Sequence, residues 1–543
     1  MPKPVSRDAE KSVSLWHPFR IATFRNLLAA DVVSDVGTFM QNVGAAWLML
    51  SLSASPLLVA LTQTASSLPF FIFALPAGAI GDIVDRRKLV LFTETWMTCI
   101  AAVLTVLTFC HLISPWSLLF LTFALSAGDA FESPTWRAIL PELVPKEDLT
   151  AASALNGIEF NIARAIGPGL AGAVIAVSGV GSAFAVNTVS FLGVILVVAR
   201  WRRQVAVKLA PTETLRGATV AAVRYIRYSP TIRLLCLRSG VAMFFASALL
   251  ALLPLISHSV SRNPLGYGLL LGCFGLGAIL GGLSIKQLRV GHSSEAVVSF
   301  GVGVFGLSTV CIGSLHALAA LAVAILFAGA AWIFFISIFN VLVLNRAPGW
   351  VRARVMAVFL LVNQGALAGG SAFWGALASR HGLHKALIWA GVGTLASMIL
   401  GLFFALPDID SDVTPWIHWK LSADLSGSPT NLSDGPVLVT VEYDVAPEQV
   451  DKFLHAVRGY SRIRRRDGAY RWGIFQDMEK TGLFLETFLT ASWGEHLRQH
   501  ARATQADRAI EEAVLNSILG SPRVSHLISP EDTPVNNTNE PAE

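Results

Sequence analysis

Long apolar stretches dominate this chain and restrict it to folds that can exist in a lipid bilayer. About twelve of them can be marked, each roughly 20 residues long and able to cross the hydrocarbon core as a helix. They lie near 26–51, 56–80, 89–111, 116–137, 150–177, 180–200, 230–257, 264–287, 294–314, 316–342, 353–379 and 384–406. Charged residues make up only 14% of the chain, whereas a soluble domain carries roughly 25%. The sequence therefore predicts an all-α polytopic membrane protein.

The membrane part contains one unit used twice. A shift of 203 positions brings glycines and prolines of the first half onto glycines and prolines of the second. The matching pairs are Gly37 and Gly240, Gly78 and Gly281, Gly167 and Gly370, Gly172 and Gly375, Gly179 and Gly382, and Pro145 and Pro348. Repeated sets of apolar segments are a known plan of secondary transporters, with the substrate site between the halves. We therefore predict twelve transmembrane helices in two six-helix bundles, at 26–200 and 230–406.

Basic residues indicate how the predicted helices are oriented. Lys and Arg remain on the cytoplasmic side of short membrane loops, and here the opposite loops carry only Arg262, Arg380 and Lys385. We therefore expect a multi-pass protein of the cell inner (plasma) membrane, with both termini and a linker at 201–229 in the cytoplasm. The N-terminal segment, 1–25, is polar and basic, unlike a cleavable signal peptide. The net charge of +5 reflects this topology and does not indicate nucleic-acid binding.

The composition turns hydrophilic after Pro407. A linker at 407–435 leads to a region at 436–529 in which strand and helix patterns alternate, and a tail at 530–543 is predicted to be disordered. The predicted strands lie at 437–445, 470–478, 483–491 and 523–528, and the predicted helices at 447–465 and 493–519. This βαββαβ order resembles the ferredoxin-like fold of the antibiotic-biosynthesis monooxygenase type. The resemblance implies a cytoplasmic α+β domain.

A loop between the second and third predicted helices carries a motif. Gly78, Asp82, Arg86 and Arg87 match positions of the signature loop of the major facilitator superfamily, G-x-L-A-D-R-x-G-R-R/K, while two neighbouring positions depart from it. More widely, residues 15–405 resemble the transmembrane secretion effector branch of that superfamily, which includes enterobactin exporters. The resemblance implies the major facilitator fold and secondary transport.

Such a loop can act as a conformational latch. The carboxylate of Asp82 can rest on the positive N-terminus of a helix in the other half, and Arg86 and Arg87 can tie the turn to neighbouring acids or lipid phosphates. The resemblance places that helix end near 351–354. Ile285 replaces the Asp in the second repeat, so the latch would be one-sided. The alternative is a solvated positive-inside loop.

A second motif lies in the fifth predicted helix. Arg164, Gly167, Pro168 and Gly172 resemble the antiporter motif of the same superfamily, which ends G-P-x-x-G-G. Small residues allow close helix contact, and a Pro inside a helix permits a bend. The resemblance implies an exporter that exchanges its substrate against an ion, and the alternative is small-residue helix packing alone.

Charged groups inside apolar segments are costly and therefore mark functional candidates. The repeat places Asp35 of the first helix on Arg238 of the seventh, and in this superfamily these two helices line the central cavity. We expect the two side chains to form an ion pair that closes the inner gate and opens when Asp35 is protonated. Asp31, one turn earlier on the same face, could share the proton. The alternative is that both acids are hydrated and passive.

Several other polar groups lie within predicted helices. Gln41, Glu159 and Asn363 are candidates for lining a cavity, and hydrogen bonding between helices is an equal alternative for the uncharged ones.

The hydrophilic region offers weaker signals. His496 and His500 lie on one face of a predicted helix at a spacing that suits a metal, but no third ligand is evident. A solvated face is the favoured interpretation, and no metal or cofactor is predicted.

These observations predict a secondary transporter of the plasma membrane. Its partners would be the lipid bilayer, a small and partly apolar substrate such as a siderophore or drug, and a proton or another coupling ion. No GxxxxGK[ST] loop, the phosphate-binding motif of many ATP-hydrolysing proteins, is present in the sequence. Its absence argues against transport driven directly by ATP hydrolysis. In one alternative, the C-terminal domain is an active oxygenase-like enzyme that modifies the cargo. In another, it is a dimerisation or regulatory module.

Overall fold

The computed structural model describes residues 14–201, 215–406, 412–414, 416 and 434–529. The predicted tail at 530–543 and most of the predicted linker at 407–435 lie outside these residues. The chain forms two compact units. One comprises Met1–Pro211, Cys236–Phe339 and Leu360–Leu406, and the other comprises Thr212–Leu235, Asn340–Phe359 and Pro407–Glu543.

Up to residue 406, the described residues are almost entirely helical. The helices are α1 (Ala22–Leu52), α2 (Pro56–Ile83), α3 (Arg86–Phe109), α4 (Pro115–Leu143), α5 (Leu149–Ser178), α6 (Val180–Arg200), α7 (Leu215–Tyr228), α8 (Pro230–Val260), α9 (Pro264–Arg289), α10 (Ser294–Ile312), α11 (Leu318–Arg346), α12 (Arg352–His381), α13 (Leu383–Ser397) and α14 (Ile399–Phe403). The predicted linker at 201–229 thus contains a helix, α7.

Ten of the described helical segments are long and apolar enough to span a membrane, with α13 and α14 forming one of them. Two further helices, α1 and α4, have 31 and 29 residues but fall outside this set. Acidic side chains in both lower their mean hydropathy. An ionisable group at membrane depth is costly unless it faces the protein interior. The acidic side chains of α1 and α4 are therefore expected to face the inside of the bundle.

The internal repeat is visible in the backbone of two tight turns. Gly179 separates α5 from α6 with φ +81°, and Gly382 separates α12 from α13 with φ +89°. A residue with a side chain is strained at such a φ, whereas Gly is not. The glycine pair that the repeat aligns in the sequence therefore performs the same task in both halves.

Helices α5 and α9 approach each other backbone to backbone. A Cβ atom placed on Gly268 would lie 2.6 Å from the carbonyl oxygen of Pro168 and 3.0 Å from the Cα atom of Gly172. Only residues without a side chain allow this separation. The contact joins the two halves of the repeat inside the first unit.

The second unit includes a four-stranded antiparallel sheet. Its elements are β1 (Val437–Asp444), α15 (Val450–Asp467), β2 (Tyr470–Gln476), β3 (Leu483–Thr490), α16 (Trp493–Arg502), α17 (Gln505–Leu515) and β4 (Arg523–Ile528). The strands are ordered β2-β3-β1-β4. The predicted strand and helix order is present, except that the second helix is divided in two.

Alternating burial along the strands builds one hydrophobic core in this sheet domain. Every second residue of β3 is buried, from Phe484 to Thr490, and these residues face the helices because successive side chains point to opposite sides of a strand. Phe453 and Val457 of α15 are fully buried against them. The residues 434–529 are referred to below as the α/β domain.

Candidate functional site

A cavity of about 600 Å³ lies among α1, α3, α4 and α5. Acidic side chains dominate its wall. They are Asp31, Asp35, Glu94, Asp129, Glu132 and Glu159. Among the described residues that line it, Arg137 is the single basic one. The cavity therefore concentrates carboxyl groups inside a helical bundle, and we refer to it as the acidic cavity.

The carboxyl groups are close enough to share protons. Asp35 and Glu159 lie within hydrogen-bonding distance of each other, as do Glu94 and Glu132. Two carboxyl groups can bond directly only if one of them carries a proton, since a carboxylate has no donor. Oε1 of Glu159 and Oε2 of Glu94 are buried without a hydrogen-bond donor. A direct contact within each pair therefore requires one proton.

Neutral donors hold two of these acids in place. Nε1 of Trp136 donates to Oδ2 of Asp31 at 3.1 Å, and the hydroxyl of Thr93 donates to Oε2 of Glu132 at 2.7 Å. The indole and the hydroxyl orient these carboxyl groups without adding a compensating charge.

A second cavity of about 420 Å³ adjoins the first. The two share Asn42, Ser66 and Phe160 in their walls. Residues from both halves of the repeat line the second cavity, and they include Phe39, Gln63, Arg164, Pro168, Tyr267, Phe274, Trp332 and Gln364. The cavity therefore combines aromatic rings with a few polar groups, which is a common composition for a small-molecule site. We refer to it as the aromatic cavity.

Arg164 is the only charged residue described in the wall of the aromatic cavity. Its Cζ atom lies 5.6 Å from the centre of the Phe274 ring, which is within the range of a cation–π contact. The predicted antiporter-like motif therefore contributes both Arg164 and Pro168 to a cavity wall. Its glycines have another task, because a Cβ atom on Gly167 would lie 2.7 Å from that of Phe39, and Gly172 packs against α9.

The predicted cavity residues divide into two groups. Glu159 lines the acidic cavity. Gln41 instead accepts a hydrogen bond of 2.5 Å from Nδ2 of Asn187, and Asn363 accepts one of 2.9 Å from the hydroxyl of Ser239. These two amides are buried between helices and hold them together.

The structure pairs Arg238 with Glu295 of α10, which corrects the expected pairing with Asp35. The guanidinium reaches the two carboxylate oxygens at 2.5 and 2.7 Å, and it also donates to the carbonyl oxygen of Phe404 at 2.9 Å. The charge of Arg238 is thereby satisfied within the second half. Asp35 meets Glu159 instead.

The latch arginines bind helix ends within the first half. Arg86 donates to Glu142 at 2.7 Å and to the carbonyl oxygen of Ala138 at 2.8 Å, and Arg87 donates to carbonyl oxygens in the last turn of α6. Cations are favourable at that end of a helix dipole. Gly78 lies in α2 in open surroundings, and the side chain of Asp82 lies outside the described part of the chain. Its role as a latch stays a prediction.

Sequence reasoning missed that the acids of α4 face a cavity. Its residues that line the acidic cavity follow a helical stripe, namely Leu125, Ser126, Asp129, Glu132, Ser133, Trp136, Arg137 and Leu140. Each of these positions has another member of the set three or four residues away, which is the period of one helix face. The same spacing connects Asp31, Asp35, Thr38 and Asn42 on α1, so polar stripes on two helices would have identified the cavity.

A buried acid also organises the α/β domain. Glu486 is fully buried and accepts hydrogen bonds from Trp472 at 2.7 Å and from Tyr443 at 2.8 Å. Arg464 lies 3.5 Å from it. Burial and the nearby Glu486 raise the pKa of Tyr443 well above its ordinary value, so this phenol remains protonated and serves as a donor.

Long apolar helices around two connected cavities define an integral membrane transporter. The family model described as transmembrane secretion effector matches residues 13–534, and the chain belongs to that family of the major facilitator superfamily. The resemblance inferred from the motifs is confirmed to that extent.

Known exporters are among its relatives. The chain is 24% identical over 390 residues to the multidrug efflux pump Tap of Mycolicibacterium fortuitum, covering 69% of this chain and 94% of Tap. It is 26% identical over 313 residues to the enterobactin exporter EntS of Salmonella typhimurium, covering 54% and 73% of the two chains. Both of these relatives are named as exporters.

Solved structures share the fold. The nucleoside transporter NupG superposes with a TM-score of 0.57 at 10% identity, covering 71% of this chain and all of NupG. A bacterial homologue of the lysosomal transporter Spinster gives a TM-score of 0.56 at 14% identity, covering 71% of this chain and 95% of the homologue. At these identities the likeness concerns the fold alone.

Proposed function

We propose that this chain is a proton-coupled exporter that works by alternating access in the inner membrane. Twelve transmembrane helices, with both termini in the cytoplasm, would provide the two bundles that rock about the aromatic cavity. The observation that carries the proposal is the acidic cavity, whose carboxyl groups adjoin the aromatic cavity through shared wall residues.

Proton coupling is supported by the contact between Asp35 and Glu159. This pair is stable with one proton, and losing that proton would leave two neighbouring negative charges in a site of low dielectric constant. Repulsion between them would force α1 and α5 apart or draw in a positive group. Because Phe39 of α1 and Arg164 of α5 both line the aromatic cavity, movement of these helices would change the shape of the substrate site.

The substrate class follows from the aromatic cavity. Rings of Phe39, Tyr267, Phe274 and Trp332 would bind the apolar part of a molecule, and Arg164 would bind an oxygen-rich or anionic group. A siderophore or a drug-like molecule has this combination. The names of relatives, which include a multidrug pump and an enterobactin exporter, agree with this choice.

The proposal can be tested in inside-out membrane vesicles, in which export is measured as accumulation. We expect accumulation of a metal-free siderophore or a drug to depend on an acidic vesicle interior. Asp35→Asn and Glu159→Gln should abolish accumulation driven by the pH gradient but retain downhill exchange. Glu147→Gln, which changes an exposed acid, is the matched control.

Two results would count against the proposal. Accumulation that is independent of the pH gradient in the unaltered protein would remove the proton from the mechanism. Normal gradient-driven accumulation by folded Asp35→Asn and Glu159→Gln variants would show that another group carries the proton.

A second role, regulation by the α/β domain, is favoured by the contacts inside the second unit. Arg224 of α7 pairs with Glu495 of α16 at 2.9 Å, and Glu495 also binds Arg502 at 2.6 Å. The guanidinium of Arg502 lies 4.4 Å from the ring centre of Trp350, and Tyr225 donates to the carbonyl oxygen of Arg346. The α/β domain thus packs on the turn that joins α11 to α12, where it could control the movement of these helices.

Weakening this contact tests the regulatory role. Glu495→Gln should change the transport rate without changing the apparent substrate affinity. Glu512→Gln, which removes an exposed pair with Arg508, is the matched control. Equal transport rates for Glu495→Gln and the control would contradict the regulatory role and leave two alternatives for the α/β domain. Oxygen consumption by the purified chain would test whether it is an enzyme, and light scattering would test whether it is a dimerisation module.

A further inference from the structure

Three histidines of the α/β domain lie together, and the proposed transport function uses none of them. His496 and His500 are one turn apart on α16, and His526 lies on β4. Their ligand nitrogens all lie within 4.8 Å of one another. His526 is separated from the other two in sequence, but it lies on the same face of β4 as Val524 and Ile528, which pack on the core.

The distances suit a shared metal ion. Nε2 of His500 lies 3.1 Å from Nε2 of His496, and two imidazole nitrogens on one tetrahedral Zn²⁺ are about 3.3 Å apart for bonds of about 2.0–2.1 Å. The ring centre of His496 lies 4.6 Å from that of His500 and 4.7 Å from that of His526. Small ring movements would therefore aim three nitrogens at one point.

An aromatic side chain lies beside two of the rings. The ring centre of Trp493 lies 5.4 Å from that of His496 and 5.6 Å from that of His526. Arg464 is an unfavourable charge for a cation, but Glu486 lies 3.5 Å from it and offsets its charge.

Outer contacts and access complete the site. Nδ1 of His496 and Oε1 of Gln499 are both buried, and neither makes a hydrogen bond. His500 and His526 are partly exposed, which gives an ion a way in from solvent.

We propose that His496, His500 and His526 form a binding site for a divalent first-row transition metal, with Zn²⁺ as the best match. Three imidazoles suit Zn²⁺ in tetrahedral geometry and leave a fourth position for water or another ligand. The metal would fasten α16 to β4. Because Glu495 and Arg502 of the same helix contact α7 and the turn before α12, metal binding would stabilise the proposed regulatory contact.

The test uses the purified full-length chain without a polyhistidine tag, in detergent and after treatment with a chelator. We expect about one Zn²⁺ per chain by calorimetry, and Co²⁺ should give the intense visible bands of a tetrahedral complex. His500→Gln and His526→Gln should each weaken Zn²⁺ binding by at least about tenfold. His455→Gln, which alters an exposed histidine of α15, should bind like the unaltered chain.

Each outcome decides the proposal. Circular dichroism checks the folding of each variant. If a His496→Gln variant does not fold, the His500→Gln and His526→Gln variants still test the proposal, because these two side chains are only partly buried. Absence of stoichiometric binding would show that His496 and His500 form a hydrogen-bonded pair only. Equal binding by the His500→Gln and His455→Gln variants would place the metal elsewhere and overturn the proposal.

Discussion

The guanidinium of Arg238 links three helices. It forms two hydrogen bonds with Glu295 of α10 and one with the carbonyl oxygen of Phe404, while the backbone N–H of Leu406 donates to Glu295 at 2.7 Å. Gly401 of α14 leaves the space for this pair, since a Cβ atom there would collide with the Glu295 carboxylate. These contacts stabilise the second half of the repeat. Because they satisfy the charge of Arg238, this residue is poorly suited to change partners during transport.

Removing one member of the pair should therefore destabilise the chain. Breaking a fully buried ion pair typically costs about 3–5 kcal/mol, whereas replacing both partners by apolar residues is often neutral. The cost should be smaller here, because Glu295 is only partly buried. We expect Glu295→Gln to lower the melting temperature in detergent, and Arg238→Met with Glu295→Met to recover most of the loss. Failure of the double variant to recover, together with loss of coupling to the pH gradient, would favour a gating role for Arg238.

Asp507 makes the stability of the α/β domain depend on pH. It accepts two hydrogen bonds from Arg466 and caps α17 through Thr504. Burial alone would raise the pKa of Asp507, but the hydrogen bonds and charge of Arg466 lower it below its ordinary value of 3.8. A carboxyl group whose pKa is lower in the folded chain than in the unfolded chain stabilises the fold at pH values above its unfolded pKa. This stabilisation is lost as the pH falls below about 4 towards the pKa of the group in the folded chain.

Asp507→Asn should accordingly destabilise the domain at neutral pH by about 1.5–3 kcal/mol. The measurement is hydrogen exchange of peptides from α17 in the full-length chain, corrected for the intrinsic rate at each pH. The difference from the unaltered chain should shrink as pH falls below 4. Asp451→Asn, at an exposed position, is the control, and a difference that is constant with pH would contradict the argument.

At the scale of helices, the contact between α5 and α9 shows where small residues allow close packing, and substitutions there can test this role. Gly268 has no room for a side chain, whereas a Cβ atom on Gly272, one turn further along α9, would have its nearest neighbour at 3.9 Å. Gly268→Ala should therefore force the helices apart at a cost of about 1–3 kcal/mol and slow transport. Gly272→Ala should behave like the unaltered chain, and equal transport rates for both variants would show that the close contact is dispensable.

The sequence predicted helices better than it predicted contacts between them. Apolar length identifies a spanning helix locally, and the alignment of Gly179 with Gly382 located two turns of equal conformation. The partner of Arg238 was missed because Glu295 lies at the start of α10, beyond any spacing rule. His526 was missed for a related reason, since β4 meets α16 only after the sheet has formed.

At the scale of the whole molecule, the described residues that line the two cavities all belong to the first unit. The α/β domain and α7 belong to the second unit. Substrate affinity should therefore be set by residues that remain when the α/β domain is removed, while the rate should respond if that domain restrains the turn between α11 and α12.

A chain that ends after Leu406 separates the effect of the cavities on substrate affinity from the effect of the α/β domain on the transport rate. Its apparent KM for the substrate should stay within about twofold of the full-length value, because KM reports binding when the later steps are slow. Its maximal rate should differ, in the same direction as that of Glu495→Gln, because both changes remove the bond from Arg224 to Glu495. If the shortened chain does not insert, the full-length double variant Glu495→Gln and Arg502→Gln provides the same comparison. A tenfold change in KM with an unchanged maximal rate would mean that the α/β domain acts on substrate binding, and the regulatory role would be abandoned.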